Sequence, residues 1–310
     1  MRDSIKTTRV EVPTAFDADP EHRALCWTVG PTGDLAVLLV HRRHLEHMGY
    51  IKGWVGWVPK PPFDGVLVTR RSDGSVDRLP LEDVPIRPSH IALLPDARLL
   101  VAGGRAPRSE AGVWEPNTVV YSPEGEPEHS FCLGDDIPVL TTDRSGRVWT
   151  AYGDEGIYGG HPESTAGLAG WSSTGQAVWA PEGRLPDLPL QGCTAATDGD
   201  DVWLVWYSGT RHGGTFLTRI TSSTGEVASW PSPVRVPDGF AVRDGRAVLT
   251  RRNHNQRSTN VTRAELDGDT WVITDERRIT VPDRVVMHCG QGRDGTLRLR
   301  AGDAWVHIRA

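Results

Sequence analysis

The 310-residue sequence lacks the features of membrane-embedded and disulfide-stabilised proteins. It contains no run of about 18 apolar residues, so we expect no transmembrane helix and no membrane partner. Residues 1–6 lack the apolar stretch that opens a secretory signal. No two of the four cysteines are close in sequence, which argues against a disulfide framework and favours a cytoplasmic location. These cysteines are Cys26, Cys132, Cys193 and Cys289.

An excess of basic charge is also lacking. The chain has 34 Lys and Arg residues, of which only 3 are Lys, against 40 Asp and Glu residues. Its formal net charge is −6. Without a basic stripe to contact phosphates, we expect no nucleic-acid partner. The chain also lacks a GxSxG elbow, a P-loop, a GxGxxG after a strand and a Trp-Asp dipeptide. Its sequence therefore indicates no α/β-hydrolase, nucleotide-binding or WD-repeat function.

A polar turn recurs along the chain every fifty residues. It begins at a serine that is followed within three residues by a glycine, and short β-branched runs flank it, as in Val66–Thr69. The serines are Ser72, Ser122, Ser172 and Ser222. A second series of turns, each followed by an apolar strand, lies at 31–34, 95–97, 144–146, 198–200, 243–245 and 293–295. Both series predict β-hairpins.

Four strands in every repeat of roughly 50 residues predict an all-β fold, a six-bladed β-propeller with four-stranded antiparallel blades. We expect one domain over residues 1–310, with blades at 24–85, 88–133, 137–182, 191–235, 238–281 and 284–310. The last blade is one strand short, so the alternating segment within 1–14 is predicted to close the ring by pairing with it. A pair of β-sandwiches is the alternative.

The long connections of such a propeller lie on one face, which is therefore the predicted binding face. The segment Tyr152–Gly160 surrounds two acids with four glycines, so its backbone approaches a neighbour closely or turns sharply. Asp135 and Asp136 reach the same face, where paired carboxylates suit acid–base work or remain solvated. The predicted proton-transfer residues are Asp154, Glu155 and His161. The predicted substrate-binding residues are Trp54, Trp57, Arg105, Trp114, Tyr158, Trp206, His212 and His254.

Metal-ligand side chains recur where the innermost strands begin. When the hairpins are aligned by their turns, this position holds Cys26, His90, Val139, Cys193, Asp238 and His288. Mixed thiolate, imidazole and carboxylate ligands suit Zn²⁺ or Fe²⁺. His90, Cys193, Asp238 and His288 are thus candidate ligands of a Zn or Fe cofactor. The alternative is a solvated channel lining in which free cysteines act as small buried hydrophobes.

An insertion at 41–64 lengthens the first blade. His41, His44 and His47 are spaced by three residues, and Trp54 and Trp57 follow them. We interpret the insertion as a lid over the channel mouth or as a helical surface insertion that fills a gap between blades.

Two hairpins, Thr141–Thr150 and Ala195–Leu204, resemble the repeat of NHL-type propellers. This group includes gluconolactonase-like, strictosidine-synthase-like and streptogramin-lyase-like proteins. The resemblance implies a six-bladed fold with a site at the channel. Calcium lactonases of the group use Glu, Asn and Asp there, whereas this chain offers Cys, His and Asp. Lyase-like members carry a His-based site, to which His90 or His288 is loosely comparable.

Two classes of function follow. The first is an enzyme that acts on a small organic molecule at the channel mouth by hydrolysis, elimination or cyclisation, with or without a metal. The second is a non-catalytic propeller that binds a peptide, sugar or protein on the same face, for which Trp and Arg are favoured.

Overall fold

The computed structural model describes residues 8–11, 20–47, 56–210, 213–286, 290–302 and 304–310. Almost all of their regular structure is β-strand, and one short helix, α1, spans Asp154–Tyr158. Short 3-10 turns lie at Arg42–His44, Pro95–Ala97 and Ser164–Ala166. In this part of the chain no helix has the length and apolar character needed to cross a membrane.

The strands follow one another in short hairpins. The first seven are β1 (Thr8–Glu11), β2 (His22–Val29), β3 (Leu35–His41), β4 (Leu45–His47), β5 (Trp57–Pro59), β6 (Phe63–Arg70) and β7 (Val76–Val84). Next come β8 (His90–Leu93), β9 (Leu99–Ala102), β10 (Thr118–Tyr121), β11 (Pro127–Phe131), β12 (Val139–Thr142), β13 (Val148–Ala151), β14 (Leu168–Trp171) and β15 (Ala177–Trp179). Then follow β16 (Pro189–Asp198), β17 (Asp201–Ser208), β18 (Thr215–Thr221), β19 (Val227–Pro231), β20 (Gly239–Arg243), β21 (Arg246–Arg252), β22 (Ser258–Asp267) and β23 (Thr270–Thr280). The last are β24 (Gln291–Arg293), β25 (Thr296–Ala301) and β26 (Ala304–Arg309).

Most strands pair with their sequence neighbours in four-stranded antiparallel sheets. Four separate sheets have the orders β2-β3-β6-β7, β8-β9-β10-β11, β12-β13-β14-β15 and β20-β21-β22-β23. An eight-stranded sheet has the order β1-β26-β25-β24-β16-β17-β18-β19. Its halves are antiparallel, and a short parallel pairing of β16 with β24 joins them. In one half β1 pairs antiparallel with β26, with Thr8 opposite Ile308.

The fifty-residue turn forms hairpins for a local reason. Its glycines Gly74, Gly125, Gly175 and Gly225 all have positive φ, which costs glycine little because it has no Cβ. In the Ser122 turn the serine Oγ accepts hydrogen bonds from the amides of Glu124 and Glu126, at 3.1 and 3.4 Å. The serine therefore satisfies the turn amides while the glycine reverses the chain.

Tryptophan rings pack against one another within sheets and between adjacent sheets. Trp203 of β17 stacks on Trp230 of β19 at 5.5 Å and meets Trp271 of β23 edge-on at 6.0 Å. Trp27 and Trp305 make a similar edge contact at 6.1 Å. Such pairs contribute about 0.5–1.5 kcal/mol each beyond the burial of their area. The high tryptophan content is thus largely a packing property.

The first strands of neighbouring sheets contact one another, and Arg293 of β24 lies among them. Arg293 is 5% exposed there. Its guanidinium donates to the carbonyls of Val29 (3.0 Å) and Thr142 and to Thr197 Oγ1 (2.7 Å). Burial lowers the pKa of Arg293 to about 10. A buried arginine at the end of β24 thus links several sheets.

The described part of the 41–64 insertion contains one 3-10 turn, Arg42–His44, and no α-helix. Strands β4 and β5 form a two-stranded ribbon, in which His47 lies opposite Trp57. The Trp57 ring meets the His47 ring at 5.1 Å and carries the Arg23 guanidinium at 5.4 Å. These contacts attach the ribbon to β2, while residues 48–55 lie outside the described residues.

Candidate functional site

Four long connections meet on one face beside the second and third sheets. They comprise residues 103–117, 132–138, 152–167 and 180–188, which join successive strands on the same side of the sheets. Backbone hydrogen bonds tie the first three together: the Ile137 amide donates to the Gly104 carbonyl and the Gly153 amide to the Asp136 carbonyl, both at 2.8 Å. The polar side chains on these connections are therefore held in fixed positions.

An arginine lies between two carboxylates in this group. Arg105 donates through Nε and Nη2 to both carboxylate oxygens of Asp135, at 2.9 and 3.1 Å. Its Nη1 donates to Glu155 on α1. The Asp135 side chain is buried and also accepts from the Ala106 amide at 2.8 Å. A bidentate, charge-assisted pair of this kind fixes the plane of the guanidinium, and 60% of the Arg105 side chain remains exposed.

Asp135 and Asp136 have opposite pKa shifts although they are adjacent in sequence. Burial alone would raise the pKa of Asp135, but the hydrogen bonds from Arg105 and from the Ala106 amide outweigh it and lower that pKa. Burial raises the pKa of Asp136, whose hydrogen bond from the Glu155 amide, at 3.1 Å, opposes the shift only in part. Asp135 is thus held ionised, while Asp136 binds its proton more tightly than an exposed aspartate does.

The glycines that flank the two acids permit a close approach of backbones, as the sequence predicts. A Cβ on Gly156 would lie 2.0 Å from the Asp135 carbonyl oxygen, and one on Gly153 would lie 2.1 Å from Asp136 Oδ2. Gly160 has a φ of +84° and ends the segment with a turn. Without side chains at these positions, α1 packs directly on the connection that carries the two aspartates.

His161 lies in a second polar group on the same face. It is 4% exposed, and burial lowers its pKa. Its Nε2 is 3.2 Å from Cys132 Sγ, and its Nδ1 is 3.2 Å from Glu163 Oε2. The Trp114 ring packs against the imidazole at 5.1 Å and carries Arg108 on its own face, also at 5.1 Å.

The other predicted binding residues are more scattered. Tyr158 is 73% exposed at the end of α1, His254 is exposed in the turn between β21 and β22, and Trp57 belongs to the ribbon. Trp54 and His212 lie outside the described residues. Asp154 is exposed at the start of α1. Of the predicted set, Arg105, Trp114, Asp154, Glu155, Tyr158 and His161 lie on the connections described above.

The assignment of Trp206 to the binding face is wrong. Its side chain is fully buried, packs on Phe216 at 4.8 Å and donates from Nε1 to Thr218 Oγ1 at 2.8 Å. It shares a core cluster with Val202 and Leu204. The alternation of β17 places these three side chains on one buried face of the strand.

The predicted metal ligands have other partners. His90 Nε2 contacts the Ile137 carbonyl at 2.7 Å, and burial lowers the pKa of His90. Cys193 is buried, which raises the pKa of its thiol to about 12. Asp238 is buried beside Arg252 and accepts from the Arg252 amide at 2.8 Å. His288 lies outside the described residues, among which no group of three or more His, Cys, Asp or Glu side chains is arranged to hold a metal ion.

Sequence reasoning missed Cys132 and Glu163 as site residues. Cys132 directly follows β11, and Glu163 is two residues beyond His161. No spacing motif connects a cysteine to a histidine 29 residues later. The only available signal is that both positions lie on long connections of the same predicted face.

A wide groove of about 750 Å³ lies on the opposite face, against the hairpin turns of the first two sheets. It is lined by polar and apolar residues that include Asp34, Arg71, Asp77, Leu79 and Arg144. Arg71 and Asp77 are paired at 2.5 Å. Because its charged groups largely neutralise one another, this groove has fewer groups available for catalysis than the face formed by the four connections described above. We call that face the long-loop face.

No protein-family model and no curated protein sequence matches this chain. Solved structures match it in shape. A candidate oxidoreductase (glucose dehydrogenase) from Thermus thermophilus is 12% identical, with a TM-score of 0.51 over 98% of this chain and 100% of that one. U3-55K is 7% identical, with a TM-score of 0.51 over 98% of each chain.

A subtype N10 neuraminidase-like protein of the virus A/little yellow-shouldered bat/Guatemala/060/2010 is 9% identical. Its TM-score is 0.51 over 93% of this chain and 95% of that one. Identities this low show shared architecture alone. The chain has an all-β propeller fold, and the architectural resemblance to β-propellers predicted from the sequence is confirmed.

Proposed function

We propose that this protein is a hydrolase- or lyase-type enzyme that acts on a small anionic organic molecule on the long-loop face. The reacting groups are Asp136 and Glu155, and Arg105 binds the anionic group of the substrate. The observation that carries the proposal is the opposite pKa shift of the neighbouring carboxyls Asp135 and Asp136. Environments that separate the pKa values of paired acids are typical of acid–base sites.

Arg105 supports an anionic substrate. Asp135 holds the Arg105 guanidinium in place, and more than half of the Arg105 side chain stays exposed. An exposed guanidinium edge in a fixed plane suits a carboxylate or phosphate. A bound anion would take over the Nη1 contact with Glu155 and so free that carboxylate.

The two carboxyl groups then have separate roles. Asp136, whose pKa is raised by burial, binds a proton more tightly than Asp135 and donates it to the leaving group. Glu155 is exposed on α1 and removes a proton from water or from the substrate carbon. This division of roles serves hydrolysis, elimination and cyclisation alike, because each needs one acid and one base on opposite sides of the reacting bond.

The test is turnover of a panel of carboxylated lactones, esters and β-substituted acids. Asp136→Asn should lower kcat by about 100-fold or more, the usual contribution of a positioned acid. Arg105→Ala should mainly raise KM. Asp269→Asn, in an exposed turn of the β22–β23 hairpin, is the matched control. If both site variants turn over the substrate within about two-fold of the unchanged protein, the proposal is refuted.

One observation favours the alternative of a non-catalytic binding protein. Three large apolar side chains on the same connections are strongly exposed: Val113 (63%), Tyr158 (73%) and Leu188 (71%). Exposed apolar and aromatic side chains of this kind suit a peptide or protein partner. Under this alternative the panel gives no turnover, and alanine variants of the three residues weaken binding of the partner.

We also infer that the six four-stranded arrays are blades of one closed ring over residues 1–310. The pairing of β1 with β26 and the successive contacts among β2, β8, β12, β16, β20, β24 and again β2 support this ring. The inferred blades are those expected at 24–85, 88–133, 137–182, 191–235, 238–281 and 284–310, with 1–14 as the closing strand.

A further inference from the structure

Cys132, His161 and Glu163 form a chain of three side chains with the order of a nucleophile, a base and an orienting acid. Sγ of Cys132 is 3.2 Å from Nε2 of His161, and Nδ1 of His161 is 3.2 Å from Oε2 of Glu163. Two separate connections supply them: 132–138 carries the cysteine, and 152–167 carries the other two. Catalytic nucleophiles are recognised by such geometry rather than by sequence motif.

The backbone on both sides of Cys132 is fixed by one buried asparagine. Asn117 Oδ1 accepts from the Leu133 amide at 2.9 Å, and its Nδ2 donates to the Gly134 carbonyl at 2.8 Å. The neighbouring Gly134 amide lowers the pKa of the Cys132 thiol, in opposition to burial. The thiol is thus held in place by a rigid support instead of projecting from a loose loop.

The imidazole is held as firmly. Its ring is buried against Trp114, and the His161 carbonyl accepts from the Thr165 hydroxyl at 2.9 Å. Nδ1 faces Glu163 but has no aligned hydrogen bond, although the atom is fully buried. A buried ring nitrogen without a hydrogen bond lowers the stability of the fold. A rotation of the partly exposed Glu163 side chain aligns its carboxylate with Nδ1 and supplies that hydrogen bond. Catalytic hydrogen bonds are often misaligned in the free enzyme and tighten when substrate binds.

Cys132 differs from the other described cysteines. Cys26 and Cys193 are buried in the core, whereas Cys132 is partly exposed. Burial removes water from both groups, which raises the pKa of the Cys132 thiol and lowers the pKa of the His161 imidazole. At neutral pH a neutral thiol therefore faces a neutral imidazole. The charged groups facing this pair are Glu163, on the connection of His161, and Asp135, on the connection of Cys132.

We propose that Cys132 is a nucleophile that forms a thioester with small acyl compounds, with His161 as its general base and Glu163 as a positioning residue. The proton of Cys132 Sγ passes to His161 Nε2 while Sγ attacks the acyl carbon. The bond from this carbon to the alcohol oxygen breaks, and the alcohol leaves with the proton from Nε2. Water, deprotonated by Nε2, then hydrolyses the thioester, which returns the thiol and releases the acid.

This inference is independent of the proton-transfer site at Asp136, and its test uses a different substrate. The full-length protein is mixed with p-nitrophenyl acetate, and the burst of nitrophenolate is recorded. We expect a burst of about one equivalent per chain, with the acetyl group on the peptide that contains Cys132. Peptide mapping separates this label from acetylation at other cysteines, including Cys289.

Three variants define the roles. Cys132→Ser should abolish the burst, and His161→Gln should slow it by about 100-fold or more. His129→Gln is the matched control, because His129 stacks on Phe131 close in sequence to Cys132 and its Nε2 donates to the Ser173 carbonyl instead. Unchanged thermal melting of each variant establishes that it is folded.

Glu163→Gln tests the positioning role through a pH profile. The Glu163 charge raises the pKa of His161, so its removal should shift the midpoint of the acylation rate to lower pH. Glu115→Gln, exposed on a neighbouring connection, should leave the midpoint unchanged. The inference is overturned if acetyl is found only at other residues, or if His161→Gln acylates Cys132 as fast as the unchanged protein.

Discussion

The buried Arg293 predicts a large loss of stability when its guanidinium is removed. In Arg293→Met the apolar stem is retained and all the donors are lost. Two buried carbonyl oxygens, those of Val29 and Thr142, then lose their partner. A buried acceptor without a hydrogen bond costs about 1–3 kcal/mol, so the pair costs about 2–6 kcal/mol.

An opposing effect reduces this cost. Burial disfavours the charged form of Arg293, which is why its pKa falls to about 10, and the methionine variant no longer carries that penalty. We therefore expect the free energy of unfolding to fall by about 2–4 kcal/mol. Arg293→Lys should also lower the free energy of unfolding, because one ammonium group does not reproduce the several hydrogen bonds that the guanidinium donates to different sheets.

Urea denaturation followed by tryptophan fluorescence measures the effect. Arg144→Met is the matched control: Arg144 pairs with Asp294 at 3.0 Å, but its side chain is 61% exposed. An exposed pair of this kind contributes at most about 1 kcal/mol. If Arg293→Met is as stable as Arg144→Met, the guanidinium at the centre does not stabilise the fold and the reasoning is wrong.

Two further predictions concern stability. Burial alone would raise the pKa of Asp143, but donors such as Ser222 and Trp149 lower it. Its charge therefore stabilises the fold above the ordinary pKa of 3.8 and ceases to do so as pH falls further. Asp143→Asn should cost about 2 kcal/mol at pH 7, and denaturation series should show the difference from the unchanged protein shrinking below pH 4. Trp206→Phe should lower the free energy of unfolding by about 1–3 kcal/mol without changing turnover, whereas a selective loss of turnover would return Trp206 to the binding face.

The hairpins were predictable because they are local. A serine and a glycine within three residues determine each turn, and alternation over four to eight residues determines the flanking strands. The Asp135–Asp136 pair was also predictable as a feature of the long-loop face. Its opposite pKa shifts were not, because they arise from the burial of Asp136 in the assembled structure and from the bond of Asp135 to Arg105, which lies 30 residues away in sequence.

The errors have physical reasons as well. In the sequence, Trp206 ends an apolar run beside a long connection. The prediction gave this position near a loop more weight than the alternation of Trp206 with Val202 and Leu204, which indicates a buried side chain. Arg293 reads in sequence as the first residue of a polar turn, yet it is buried where strands from several sheets converge. Convergence is a property of the assembled sheets, and no local pattern in the sequence reports it.

The parallel pairing of β16 with β24 has a consequence for access to the molecule. Gly292 lies so close to β20 that a Cβ there would be 2.3 Å from the Phe240 carbonyl oxygen, and Arg293 occupies the adjacent position of β24. Among the described residues the centre is therefore closely packed at this level, and we expect a small molecule on the long-loop face to have no direct path to the groove on the other side. Ligands of the two faces should then bind independently of each other.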